Sequence, residues 1–269
     1  MTDKKDIRSL DLSKIMEFCA THNLPKFRAK QIWEWLWKKK ATSFEEITSL
    51  SKEIRELLNR FFFIKTIEIH KAEKSIDGTI KYSFKLHDNV LVEGVLIGSK
   101  KRLTACISSQ AGCSLACKFC ATGTLKLERN LTASEIYDQA FILNEEAISN
   151  FGKPISNIVY MGMGEPLLNY KAVLTSIHFI TNKAGLGMSP KRITVSTAGI
   201  AKMIKTLADD NIKFNLAISL HSATDNKREI LMPLNKNINL TKLKDSVKYF
   251  YEKTGIRITY EYILFKDLN

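Results

Sequence analysis

The sequence predicts an α/β fold built on a parallel sheet. Two observations carry this: strand-like runs alternate with amphipathic stretches through the second half of the chain, and 45 % apolar positions in 269 residues suffice for a large core. Parallel neighbours need crossover connections, which such alternation supplies. The runs are TACISS (104–109), SNIVYMG (156–162), RITVST (192–197), FNLAISL (214–220) and RITYEYIL (257–264). Between the first two, Thr132 and Glu135 form a capping box that opens a helix with Ile136, Ala140, Leu143 and Ala147 on one side. A later helix, TKLKDSVKYFYEKTG, stops at Gly255, a C-cap residue. Periodicity leaves open whether the sheet is doubly wound or curved into a barrel.

Upstream the pattern differs. Residues 1–65 read as a small helical module: RAKQIWEWLWKK puts Ala29, Ile32, Trp33 and Leu36 on one face, and Ser51 caps a helix carrying Ile54, Leu57, Leu58 and Phe61. Residues 66–98 hold the β-rich runs TIEIH, TIKYSFKL and VLVEGVLI, with Asp77-Gly78 as a hairpin turn between the first two. The remaining 99–269 form the main domain. It ends on RITYEYILFKDLN, a strand with no helix after it, which predicts a truncated chain.

Forty-one Lys and Arg against 28 Asp and Glu give a net charge of +13, in clusters such as Lys38-Lys39-Lys40 and Lys100-Lys101-Arg102. Such an excess fits a polyanionic partner, most simply nucleic acid, or a merely solvated basic surface. There is no run of 18 apolar residues and no signal-peptide core, so no membrane span is expected and the location is expected to be cytoplasmic. In a reducing compartment clustered cysteines bind metal or do redox chemistry.

Three of the five cysteines fall in CSLACKFC (113–120), spaced by four and three. Such a loop can hold one inorganic core from three sides. Zinc would need a fourth ligand, and only Cys19 and Cys106 remain among the cysteines. A four-iron cluster held by three thiolates would keep one iron open to a small ligand. Further on, MGMGEPLLN (161–169) closes the second strand with glycines.

The spacing Cys-x3-Cys-x2-Cys, followed by GMGEP, resembles the radical S-adenosylmethionine superfamily. Together with CISSQAGCSLACKFCATG, RITVSTAGI, LAISLHSATDNKREILMPLN and LPKFRAKQIWEWLWKK, it resembles the RlmN/Cfr family of RNA methyltransferases over nearly the whole chain. The resemblance implies a partial (β/α)6 TIM-like barrel, truncated at its C-terminus, behind an N-terminal RNA-binding helical domain. It implies one [4Fe-4S] cluster on Cys113, Cys117 and Cys120. S-adenosylmethionine would be held by Gly164, Glu165, Ser196, Ser219, Leu220 and His221. The implied reaction is methylation of adenosine carbon 2 in 23S rRNA and tRNA, with electrons from a reduced flavodoxin- or ferredoxin-type donor and no obligate protein partner.

In that family a cysteine carries the methyl group and a second thiol releases the product by forming a disulfide bond. Cys106 occupies the second position, and Glu93 in VLVEGVLI that of the proton acceptor. The methyl-carrying cysteine, the last barrel strand and an Asn that contacts S-adenosylmethionine lie in a segment that 1–269 does not contain, so this chain is expected to bind cluster and cofactor without turning over. Pro166 favours carbon 2 over the carbon 8 chemistry of the Cfr type. Taken singly, the residues have plainer readings: His221 as a bonded core residue, Ser196 as a strand-end cap, Cys106 as a small buried hydrophobe, Glu93 as the outward residue of an alternating strand. Trp33 and Trp37 are expected to divide between core and surface rather than stack on bases, and Cys19 to be core. Other readings are a glycyl-radical activase or a non-catalytic RNA-binding protein with a structural metal.

Overall fold

The computed structural model describes residues 4–99 and 102–269; Lys100 and Lys101 of the basic cluster lie outside them. Strands β1 (Glu68–Lys74), β2 (Ile80–Lys85), β3 (Leu91–Gly98), β4 (Leu103–Cys106), β5 (Asn157–Tyr160), β6 (Ile193–Thr197), β7 (Asn215–Ser219) and β8 (Thr259–Glu261) form one eight-stranded sheet in chain order. From β1 to β4 neighbours are antiparallel, as short hairpin connections require. From β4 to β8 they are parallel, each joined by a helical crossover. This is an incomplete barrel with five parallel strands among the described residues, extended along one edge by the β-rich segment.

The helices are α1 (Leu12–Thr21), α2 (Phe27–Trp37), α3 (Lys52–Phe61), α4 (Ala133–Phe151), α5 (Tyr170–Thr181), α6 (Ala201–Asp209), α7 (Asp225–Leu231) and α8 (Leu240–Thr254). Their ends follow from local chemistry. Asp11 caps α1 by accepting from Lys14 N at 2.9 Å, and α4 starts on the full Thr132/Glu135 capping box. Helix α8 ends on Gly255 at φ 68°. Ser51 stands at the N-cap of α3 without a side-chain bond. The hairpin between β1 and β2 turns at Asp77-Gly78, where Asp77 Oδ1 accepts from Thr79 N at 3.0 Å.

Register sorts the sheet into two faces, because directly opposed residues share one. Ala105, Ile158, Ile193, Val195, Leu216 and Ile218 form the fully buried face, packed in one core with α4 to α6 and α8. The other face carries Cys106 opposite both Val95 and Val159, Ser196 opposite Ala217, and Ser219 opposite Glu261. It is the chemically equipped side.

The N-terminal helices pack directly on the sheet domain. Trp37 is buried and stacks on Phe179 of α5 with centroids 3.6 Å apart, while its carbonyl accepts from Tyr137 Oη at 2.6 Å. Trp33 is only partly buried, so the two tryptophans divide as their helical positions dictate. Cys19 is sealed in the same core. Among the described residues no helix is long and apolar enough to cross a membrane.

Candidate active site

The site is assembled at the C-terminal ends of β4 to β7. After β4 the chain runs through Ser109 and Gln110, whose N–H groups both donate to the carbonyl of Met163, at 2.9 and 3.1 Å. Gln110–Ala111 then pair antiparallel with Arg129–Asn130, closing the cysteine loop at its base. Gly112 makes that closure possible: it sits at φ +77°, and a Cβ there would lie 2.0 Å from the carbonyl oxygen of Lys126. Arg129 fastens the base by donating to Asp88 at 2.6 Å and to both carboxylate oxygens of Glu135, at 2.9 and 2.8 Å. Within the loop Cys120 N donates to Cys117 O at 3.2 Å, so the cysteines are held on a short turn.

The segment after β5 closes against this loop. Gly164, at φ +94°, would place a Cβ 2.4 Å from the Cβ of Gln110, so only glycine permits the approach. Glu165 is buried beside it and accepts from Ala198 N at 2.7 Å and Leu167 N at 3.0 Å. Burial pushes its carboxyl pKa up, against those donors.

From the next two strands, Ser196 and Ser219 donate their hydroxyls to one oxygen of Glu261, at 2.9 and 3.2 Å. His221 adopts φ 52° and accepts from Ile263 N through Nδ1 at 3.2 Å. Burial lowers its pKa, and with Nδ1 accepting, a neutral ring carries its proton on Nε2. Its ring and that of Phe119 meet in a T-shaped arrangement, centroids 4.4 Å apart.

Cys113, Cys117, Cys120, Gly164, Glu165, Ser196, Ser219 and His221 all border one cavity of about 470 Å³. Leu220 does not border it; its amide instead donates to the carbonyl of Glu261 at 3.0 Å. Cys106 and Glu93 also lie outside the lining, but on the same sheet face as the two serines. Cys106 is buried, which pushes its thiol pKa up to about 11, with the Glu261 carboxylate adding to the rise. Glu93 is the outward residue of its alternating strand: its carboxylate is half-exposed and pairs with Lys81 at 3.2 Å. The alternation of β3 is the reason, since Val92, Gly94 and Leu96 take the covered face. No disulfide is present: all five cysteines are free, which corrects the expectation of a disulfide bond.

Two residues not singled out from the sequence complete the site. Glu261 bridges the serines from β8. Arg228 is fully buried and donates to the carbonyls of Ala198, Leu220 and Ser219 and, at 2.8 Å, to Asn235 Oδ1. Among the described residues no carboxylate forms an ion pair with Arg228; burial lowers its pKa, and Cys117 and Asp225 offset part of that. Among the described residues no three His, Cys, Asp or Glu side chains converge on one ion-sized point. Three thiols bordering a cavity of about 470 Å³ supply the donor type and the room that an iron–sulfur cluster takes. Burial and the proximity of Cys113, Cys120 and Glu165 push the Cys117 thiol up to about 11, and Arg228 offsets part of that repulsion.

Comparison with known proteins agrees with this geometry. The Radical SAM superfamily model matches residues 107–269, and the model of the ribosomal RNA large subunit methyltransferase N-terminal domain matches 5–64. A probable dual-specificity RNA methyltransferase RlmN from Christiangramia forsetii is 52 % identical over 99 % of this chain and 76 % of its own length. A relative of the same name from Salinibacter ruber is 42 % identical, over 99 % of this chain and 74 % of its own. The crystal structure of a radical SAM methyltransferase from Sphaerobacter thermophilus superposes with a TM-score of 0.90 at 34 % identity, covering 98 % of this chain and 78 % of that one. With the thiol loop, the glycine-rich strand end and the matching N-terminal module in one chain, the protein belongs to the RlmN family of radical SAM RNA methyltransferases.

Proposed function

We propose that the protein acts in methylation of adenosine carbon 2 in 23S rRNA and tRNA. The observation that carries this reading is the shared cavity: three thiols on one wall and groups from three successive strand ends on the other, as barrel enzymes arrange their sites. Cys113, Cys117 and Cys120 would hold a [4Fe-4S] cluster, and Glu165, Ser196, Ser219, Leu220 and His221, with the backbone at Gly164, would bind S-adenosylmethionine. Bound together, cluster and cofactor supply the one-electron chemistry that a carbon without an acidic proton demands.

The chain's own groups then have separate tasks. Glu165, already holding two backbone donors, offers a buried carboxylate to the ammonium of the methionine moiety. Ser196 and Ser219 turn from Glu261 toward the cofactor's polar atoms. Cys106 serves as the resolving thiol and Glu93 as proton acceptor. Supporting this pair, Cys106 opposes Val95, so Glu93 is its diagonal neighbour on the same face, roughly 7–8 Å away. None of the five cysteines takes the methyl-carrying role in this reading. Residues 1–65 and 66–98 serve as RNA platform and connector to the catalytic 99–269, consistent with the extent of the two family matches. A base stacked in RNA must be splayed out to reach the cavity, which calls for basic surface at its mouth.

Anaerobic loading with iron and sulfide tests the site. A brown protein with four irons, lost in Cys117→Ala, is expected; a colourless protein with zinc on the thiols overturns the reading. RNA digests from a deletion strain complemented with the sequence test the product. Carbon 8 methylation would move the assignment to the Cfr type. If residues 1–269 alone yield 2-methyladenosine, the methyl-carrying thiol has been wrongly placed outside them.

A further inference from the structure

The cysteine loop has an outer side as well as the side that borders the cavity. There Lys118, Asn226, Glu229, Ile230, Pro233 and Lys236 frame a second hollow of about 510 Å³. Lys118 lies between Cys117 and Cys120, and its N–H donates to the carbonyl of Leu231 at 2.9 Å, which ties the loop to the end of α7. Leu231, Met232 and Ala198 form a small apolar cluster on which Leu115, Cys117 and Phe119 pack. Cys117 therefore borders the inner cavity while the next residue borders the outer hollow. One peptide unit separates the two.

The rim has a definite chemical character. Of the residues that frame the hollow, Lys118 and Lys236 are exposed, and Glu229 stands 3.8 Å from Lys236. Ile230 on the same lining is 59 % exposed, a large apolar side chain beside these charges. An exposed apolar side chain flanked by charges suits a transient protein contact, in which the charge steers the encounter. An RNA backbone would favour a continuous cationic track, without a carboxylate and an exposed isoleucine among the lysines. The hollow and the cavity share no lining residue, so a protein seated outside leaves the cavity free for substrate.

We propose that this hollow is the docking surface for the electron donor, an acidic carrier protein holding a reduced flavin or iron–sulfur centre. The inference rests on the assignment of Cys113, Cys117 and Cys120 as cluster ligands. The exchange is balanced: the carrier is oxidised by one electron and the cluster reduced by the same one, entering from the Cys117 side of the loop.

The test uses the cluster-loaded full chain, with a reduced flavodoxin as the protein donor and dithionite as the small one. Two variants are compared, Lys118→Glu and the pair Ile230→Ala with Lys236→Glu, the second leaving the cysteine segment untouched. Flavodoxin affinity is expected to fall about tenfold in each variant, and flavodoxin-driven bleaching of the cluster to slow in step. Iron content and the dithionite-driven rate should stay at the wild-type level. Unchanged flavodoxin affinity in both variants overturns the proposal. So does a loss of RNA affinity with flavodoxin affinity retained, which would make the hollow an RNA contact. Failure of the underlying assignment looks different: the wild-type protein would then hold no iron and show no visible absorption before any donor is added.

Discussion

Arg8 and Asp138 form a bidentate ion pair, Nη1 to Oδ2 at 2.8 Å and Nη2 to Oδ1 at 2.7 Å, with both side chains 1 % exposed. The pair joins the segment before α1 to the middle of α4, and the guanidinium also lies over the Trp37 ring at 4.6 Å. Removing one partner strands a buried charge. Arg8→Ala is therefore expected to cost about 3–5 kcal/mol, lowering Tm by roughly 10 °C in a thermal melt. The double variant Arg8→Met with Asp138→Leu should recover most of that loss, since both charges leave together.

The clamp at the base of the cysteine loop should respond to acid. Arg129 holds the Asp88 carboxyl at a pKa of about 2, below its ordinary 3.8. A depressed folded pKa stabilises the native state above the unfolded value, and that contribution is lost as pH falls from about 4 toward 2. Asp88 is partly solvated, so the amount is about 1 kcal/mol after screening. Urea midpoints taken across this window should fall less in Asp88→Asn than in wild type.

Loop closure depends on glycine at one point where nothing else fits. Gly112→Ala meets the Lys126 carbonyl at 2.0 Å and is expected to reduce iron loading severalfold, read as iron per chain after anaerobic reconstitution. Gly187→Ala is the control: its φ is +63° with open space around the position, so it should cost about 1 kcal/mol of stability and leave iron loading unchanged.

Glu261 contributes to the high pKa of the Cys106 thiol, which burial and that carboxylate together push up to about 11. Glu261→Gln removes a negative charge and should lower it. In the cluster-loaded protein, alkylation of Cys106 followed by mass spectrometry should therefore reach half its limiting rate at a lower pH in the variant.

What the sequence made legible is what lies close along the chain. The cysteine spacing, the Thr132/Glu135 box and the Gly255 cap are local patterns with local causes, and each appears where its spacing puts it. The strand runs were legible as elements, and their ends bring Gly164, Ser196 and Ser219 to one cavity. What escaped depends on distant partners. Arg228 reads as one more basic residue of an exposed helix until its bonds to Ala198, Ser219 and Leu220 are seen. Glu261 lies 65 positions from Ser196, and Arg8 lies 130 from Asp138. For Glu93, alternation along β3 gave two faces without saying which one the helices cover.

The two-faced sheet makes the enzyme's arithmetic of insertions unforgiving. A single residue added inside β4 would swing Cys106 under the helices and turn Ala105 toward the reactants, while the ladder's hydrogen bonds re-formed almost unchanged. Such a protein would keep its backbone pairing and lose the Cys106 thiol from the face that carries Ser196 and Ser219. Length changes along this lineage should thus be confined to the connections between strands, where a frame slip has no side to choose.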